Sequence, residues 1–375
     1  MDPIPCPFGR IALVLQGGGA LGSYQAGVYQ ALHEAALAPD FLAGVSIGAV
    51  NAALIAGNRP EDRLPRLQAF WERITARRIW PFAPDGDDLR RARNGQSALA
   101  TIALGTPGFF RPNPVSPWFA PRGARAATAF YDTAPLKQTL EELVDWELLA
   151  RPGGHPRLAV GAVNVATGNF QYFDSATQRL TPEHVMASGA LPPGLPMVKI
   201  EGGWYWDGGL VSNTPLQYLL EDETDSRDAL VFQVDLFPAR GPLPRDLNDV
   251  LSREKDIRFS SRTRMNTDAF TRQRRWQLRL KRALAKVPEA ALTAEERALR
   301  EQLASLPQLA ILQLVYQAKV YEGQAKDYEF GPETMREHWA SGHEDTVRTL
   351  ANRRWLELPP EDPGIVTHDL HREAE

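Results

Sequence analysis

The sequence predicts an α/β fold, with a mainly parallel central sheet flanked by helices and a mostly helical C-terminal extension. Three observations predict it. Short apolar runs ended by small residues, "RIALVLQ" and "FLAGVS", are each followed by a segment of helical spacing. Such alternation places parallel strands in one sheet with helices on its faces. Each of the first two strands also breaks into a glycine-bearing turn that opens a helix, "GGGALGSYQ" and "GVSIGAV". The 375 residues, 43% hydrophobic and 23% charged, suffice for one large domain or two modest ones.

The elements follow in order. "RIALVLQ" is a buried strand, and "SYQAGVYQALHEA" is a helix on Ala26, Tyr29 and Leu32. "PDFLAGVS" is a second strand. "IGAVNAALIAG" is a helix apolar on every side, hence buried. "EDRLPRLQAFWERITAR" is amphipathic. From Trp80 to Phe130, Pro, Gly and aromatic residues crowd "WPFAPDGDD" and "GTPGFFRPNPVSPWFAPRG", which reads as a long loop or cap. "TAPLKQTLEELVDWELL" returns to helix. "RLAVGAVNVATGNFQYFDS" reads as two strands about a Thr-Gly-Asn turn. "TPEHVMASGAL" opens a helix with Thr as N-cap and Pro in the first turn. "GGWYWDGGL" is a short strand and turn, and "ALVFQVDLF" a buried strand. Near residue 240 the character changes, giving a soft boundary between residues 1–240 and an extension, 241–375, packed on the first part or continuous with it. In the extension, Thr293 and Glu296 form a capping box, and "LAILQLVYQ" fits either strand or helix.

Bulk properties exclude several classes. A formal net charge of −4 argues against a polyanion binder, so no nucleic acid is expected. One cysteine, Cys6, excludes an internal disulfide and fits a reducing, cytoplasmic compartment. The start "MDPIPCPFGR" lacks the apolar core of a secretory signal, and no apolar run is long enough to span a bilayer.

The motifs carry the chemistry. Gly17, Gly19 and Gly22 satisfy G-x-G-x-x-G, the pattern of a dinucleotide-binding turn. That reading needs an acid at the end of the second strand. Asp40 has about the right distance but precedes the strand, and Ser46 stands where the acid belongs. Gly44-Val45-Ser46-Ile47-Gly48 is G-x-S-x-G at a strand-to-helix turn, the setting of a nucleophile elbow. Adjacent parallel strands would bring the amides of Gly17, Gly18 and Gly19 beside Ser46, where they could hold an oxyanion. A base is also needed. His338 and His343 satisfy the chain order of a Ser–Asp–His triad, but they equally read as ordinary helix or surface histidines. Asp207 in "WYWDGGL" is displayed on a tight turn with Gly208 and Gly209; it is either that base or a turn aspartate bonding local amides.

"GGGALG", "GVSIG" and "DGG", in that order, resemble the three signatures of the patatin-like phospholipase family, and "ASGALPPGLP" resembles a further block of it. The likeness runs from about residue 10 to 237. It implies a serine-dependent lipid acyl hydrolase of the phospholipase A, lysophospholipase or carboxylesterase type. In that reading Ser46 is the nucleophile and Asp207 the base of a Ser–Asp dyad, and the Gly17–Gly19 amides form the oxyanion hole. Gly22, Gly44, Gly48, Gly208 and Gly209 support the elbow and turns, and no metal or cofactor is needed. Many members carry a basic residue where this chain has Leu21. The extension resembles one found in a bacterial subgroup. The alternatives are a non-catalytic lipid- or protein-binding scaffold and a dinucleotide-binding protein.

Two surfaces bear on partners. Phe109, Phe110, Trp118 and Phe119, flanked by Arg111 and Arg122, fit contact with a lipid surface, a cap on an acyl channel, or a loop packed on its own domain. Arg272, Arg274, Arg275, Arg279, Lys281 and Arg282 fit a basic face for peripheral membrane contact or nucleic acid, or a face neutralised by acids such as Glu221, Asp222 and Glu223.

Overall fold

The computed structural model describes residues 4–79, 86–151, 153, 155–222, 224–261, 263–304 and 306–371. Its strands are β1 (Arg10–Leu15), β2 (Phe41–Gly44), β3 (Arg111–Pro112), β4 (Tyr131–Asp132), β5 (Arg157–Asn164), β6 (Phe170–Asp174), β7 (Val198–Ile200), β8 (Gly203–Asp207), β9 (Ala229–Asp235), β10 (Leu309–Val315) and β11 (Ile365–Asp369). Its helices are α1 (Ser23–Glu34), α2 (Ile47–Ala56), α3 (Pro60–Ile74), α4 (Asp87–Leu104), α5 (Ala134–Leu143), α6 (Trp146–Leu149), α7 (Pro182–Ser188), α8 (Leu216–Leu220), α9 (Leu247–Phe259), α10 (Thr263–Leu284), α11 (Ala294–Ala304) and α12 (Pro332–Ala351).

One nine-stranded sheet runs β11-β10-β9-β1-β2-β5-β8-β7, with β6 also paired to β5; β3 and β4 form a separate ribbon. The strands from β11 to β5 are parallel, and β6, β8 and β7 continue the sheet antiparallel. Parallel strands covered on both faces need apolar side chains on both. In β1, Leu13 and Leu15 enter the large core while Ala12 and Val14 enter a smaller one on the other face, with Val231 and Leu216. Helix α2 is buried along its whole length, as its composition requires.

The chain after residue 240 is built into this sheet. β10 pairs with β9 from Leu309↔Ala229 to Val315↔Asp235, and β11 pairs with β10. The run "LAILQLV" is therefore a strand. Helix α12 lies against α1 through two glycines: a Cβ on Gly27 would meet the Trp339 carbonyl, and one on Gly342 the Tyr24 carbonyl.

The 80–130 segment is not a loop throughout. Residues 80–85 lie outside the described ones, but Asp87–Leu104 is an 18-residue helix. Its sequence between the two proline-rich stretches holds no proline, and Asp87 and Asp88 sit in its first turn, favourable to the helix dipole. The acids expected to neutralise the arginine-rich stretch are engaged elsewhere. Asp222 accepts from Arg10 and Arg157 at 2.9 Å, Glu221 accepts from Gln217 at 2.7 Å, and Glu223 lies outside the described residues. On α10, Arg282 pairs with Asp362 at 2.8 Å and Arg274 is buried over the Phe270 ring.

Candidate active site

The sheet register explains why distant motifs meet. Gly44, the last residue of β2, pairs with Val160 of β5, and Asp207, the last of β8, pairs with Ala162 two residues further along β5. Ser46 is two residues beyond Gly44, so it and Asp207 leave the sheet at the same level. The glycine loop leaves from β1, on the other side of β2, and β1 is where strand order reverses direction. Open α/β sheets form their ligand crevices at such carboxyl-end switch points.

Ser46 is the residue before α2, and its backbone stands at φ 56°. A positive φ on a side-chain-bearing residue costs roughly 1–3 kcal/mol and persists only where neighbours enforce it. They do so here. Val45 N–H donates to the Leu15 carbonyl at 3.2 Å, and Ser46 N–H donates to both the carbonyl and Oγ of Ser188 at 3.1 and 3.0 Å. Ser188 Oγ donates in turn to the Gly161 carbonyl at 2.6 Å. The close approach also explains the flanking glycines: a Cβ on Gly44 would strike Gly48, and one on Gly48 the Leu15 carbonyl. A Cβ on Gly22 would enter the Ile47 side chain at 2.6 Å.

In the glycine loop the three amides are not equivalent. Gly17 N–H donates to the Asn213 carbonyl at 3.2 Å, and Asn213 Nδ2 donates back to the Gly17 carbonyl at 3.0 Å. Among the described residues, the Gly18 and Gly19 amides have no hydrogen-bond partner. Gly19 has φ 55°, and a Cβ there would run into the Asp327 carbonyl. Beneath the loop, the fully buried Gln16 accepts from the Phe237 amide at 2.9 Å and donates to Thr214 Oγ1 at 2.9 Å.

Asp207 is 2% exposed. Burial pushes its carboxyl up from the usual 3.8 to about 7; the Gly209 amide, which donates to it, and the nearby Ser46 side chain pull the other way. The Gly209 N–H lies 2.7 Å from Asp207 Oδ1. Gly208 lets the turn pass the backbone of Gly161, where a Cβ would sit 2.6 Å from its carbonyl oxygen. Ser46 and Asp207 thus stand near each other and line the same cavity.

The pair opens into a cavity lined by Gly17, Gly18 and Gly19 on one side and largely by apolar side chains on the others, including Ile47, Leu136, Leu191 and Leu195. In its lining Phe109 and Phe110 pack against Phe330, Phe237 packs against Phe259, and Tyr328 lines it as well. Solvent-sized space within it is only about 100 Å³. Phe259, Asp327, Tyr328 and Phe330 all follow residue 240, and no motif or spacing marks them. Asn213 and Ser188 were also missed; the second lay inside the "ASGALP" block.

None of the seven histidines lines this cavity. His338 bonds Glu322 at 2.6 Å and His343 bonds Glu34 at 2.8 Å, so neither serves Ser46. Asp40 sits at the opposite end of β2, paired with Arg227 at 3.0 Å, which leaves the glycine loop without the acid a ribose would need.

A family model described as patatin-like phospholipase matches residues 13–220, more than half of the chain. The chain belongs to the patatin-like phospholipase family. A second model, described as patatin phospholipase, matches residues 257–362. Among curated proteins, the chain is 45% identical over 78 residues to lysophospholipase nte1 of Aspergillus terreus, a match covering 20% of this chain and 5% of that protein. It is 43% identical over 65 residues to triacylglycerol lipase SDP1L of Arabidopsis thaliana, covering 17% and 8%. The matches thus span a small fraction of those relatives. Among solved structures, VipD from Legionella pneumophila aligns with a TM-score of 0.39 and 16% identity, covering 92% of this chain and 67% of that one. In this patatin-like chain, Leu21, where many members are basic, is fully buried in the main core and does not line the cavity. No helix among the described residues is long and apolar enough to cross a membrane.

Proposed function

We propose that this chain hydrolyses lipid acyl esters through a Ser46–Asp207 dyad. One observation carries the reading: a strained serine and a buried carboxyl group that line one largely apolar cavity together. A general base works best with a pKa near the working pH, and burial brings Asp207 there. Asp207 takes the Ser46 proton as Oγ attacks the ester carbonyl. The carbonyl oxygen, now negative, accepts from the Gly18 and Gly19 amides, while Gly17 is held by Asn213 as a support. Each such donor is worth ~3–4 kcal/mol in the transition state. The intermediate collapses to an acyl-serine, and Asp207 returns its proton to the leaving alcohol. Water, deprotonated by Asp207, then attacks the acyl-serine; the acyl–Oγ bond breaks, Asp207 returns the proton to Ser46 Oγ, and the fatty acid leaves.

The cavity walls suit an acyl chain. The solvent-sized space is below the ~300–1,000 Å³ common for ligand sites, so substrate entry parts the aromatic walls. Because residues beyond 240 supply part of those walls, the extension belongs to the catalytic unit in this reading.

Ser46→Ala tests it. Hydrolysis of a chromogenic short-chain ester should fall by at least about a thousandfold, with folding retained by circular dichroism. Activity that survives in the folded variant refutes the dyad. A wild type inert on all esters, yet able to bind lipid, would favour the scaffold reading instead.

A further inference from the structure

The aromatic residues of the segment between α4 and β4 divide into two groups. Phe109 and Phe110 turn inward, with ring centroids 5.9 and 6.3 Å from Phe330, and line the cavity. The tip turns outward. Trp118 is 83% exposed and Phe119 84%, and Val115 and Phe130 of the same segment are exposed too. Fully exposed Trp and Phe side chains side by side are unusual on a surface with no partner. The last turns of α4 add exposed Leu99, Ile102 and Leu104. They are tied to this segment because the Tyr131 hydroxyl donates to the Ile102 carbonyl at 2.7 Å.

The charge within this stretch of chain has one sign. From Leu99 to Tyr131 the sequence has no Asp or Glu, and Arg111, Arg122 and Arg125 are all exposed. Arg111 pairs with Asp132 at 2.9 Å; among the described residues, no carboxylate pairs with Arg122 or Arg125. The face is also continuous with the cavity. Phe130 N–H donates to the Pro193 carbonyl at 3.2 Å and Tyr131 N–H to the Gly194 carbonyl at 3.0 Å, and Tyr131, Gly194 and Leu195 line the cavity.

We propose that this face seats the protein on an anionic lipid bilayer. Trp118 and Phe119 enter the interface, where an indole ring keeps its N–H among polar headgroups and its body among acyl chains. Arg122 and Arg125 meet the phosphates, each adding to attraction by an anionic surface. Seated this way, the cavity wall formed by Phe109, Phe110 and Tyr131 lies next to the membrane. The inference extends the acyl-hydrolase reading by naming the surface that delivers the substrate, but it concerns binding alone.

The test uses the full chain carrying Ser46→Ala, so that the vesicles stay intact. It measures co-sedimentation with phosphatidylcholine vesicles, with and without phosphatidylglycerol. The parent should partition onto the phosphatidylglycerol vesicles. Trp118→Ser/Phe119→Ser should lower that partition at least about tenfold. Arg122→Gln/Arg125→Gln should lower it by a comparable factor, roughly fivefold for each charge, and leave binding to neutral vesicles unchanged. With Ser46 intact, both double variants should hydrolyse a soluble short-chain ester at the wild-type rate. The proposal is overturned if the parent stays in the supernatant or if the tip variants bind as the parent does. It is also overturned if the loss follows Arg275→Gln/Arg279→Gln on α10 instead. Since the parent cannot use the dyad, failure of the hydrolase reading would appear in the ester assay and not here.

Discussion

Asp207→Asn should cost activity and gain stability, and the gain should depend on pH. The folded carboxyl titrates near 7 against the usual 3.8, because burial disfavours its charge. Between those values the folded chain holds a proton that the unfolded chain releases, so this group makes stability fall as pH rises through that window. At and below about pH 4 it costs little, since both states are protonated. Above pH 7 the folded state carries the full penalty of a buried carboxylate. The difference of about three pKa units corresponds to roughly 4 kcal/mol at 1.36 kcal/mol per unit, an upper figure. Asparagine keeps an oxygen for the Gly209 amide and has no charge to bury. The variant should therefore melt about 5 °C above wild type at pH 8 and within a degree or so of it at pH 4. Melting curves across that range measure it, with ester hydrolysis alongside. Wild-type kcat/KM should fall tenfold per pH unit below about 7 as Asp207 protonates, while the variant should be inactive throughout. A stability difference independent of pH, or larger in acid, would refute the assignment of a buried, raised carboxyl.

Two further expectations concern polar side chains that hold neighbouring segments in place. Asn213→Ala removes the Nδ2 donor to the Gly17 and Phe259 carbonyls. Turnover should drop about 10–100-fold with KM little changed, because the loop holds the transition state more than the substrate; a pure KM effect would contradict the positioning role. Lys326→Met strands the buried Asp256 that Lys326 contacts at 2.7 Å, and should destabilise by about 3–5 kcal/mol. Lys326→Met/Asp256→Leu should recover most of that loss, as read by urea unfolding.

The parts of the fold written in local spacing were legible. β1, β2, α1 and α2 follow from short apolar runs and their turns, and Ser46 follows from a strand meeting a helix through glycines. What spacing does not encode is register between distant segments. Asp207 could be read as a turn residue because only the antiparallel pairing of β8 with β5 puts it beside Ser46. "LAILQLV" is too short for periodicity to separate strand from helix, so its place next to β9 was hidden. Helix α4 was masked by prolines on both sides of it. Asp222 looked like a surface counter-charge, yet it lies nearly buried between Arg10 and Arg157, an arrangement that needs β1 and β5 folded. Phe109 and Trp118 are alike in composition, and only the packing shows that one is wall and the other tip.

The position of β9 has a consequence for how the chain can be cut or made. Residues 229–235 are buried along their length and hydrogen-bonded on both sides, by β1 and by a strand some seventy residues later. Until that later strand arrives from the ribosome, an apolar ladder of unpaired amides and carbonyls stands open to any neighbouring chain. A fragment trimmed to residues 13–220 would lose β9 itself and move the same raw edge to β1, directly under the glycine loop. Such a fragment is expected to aggregate even though it retains Ser46 and Asp207.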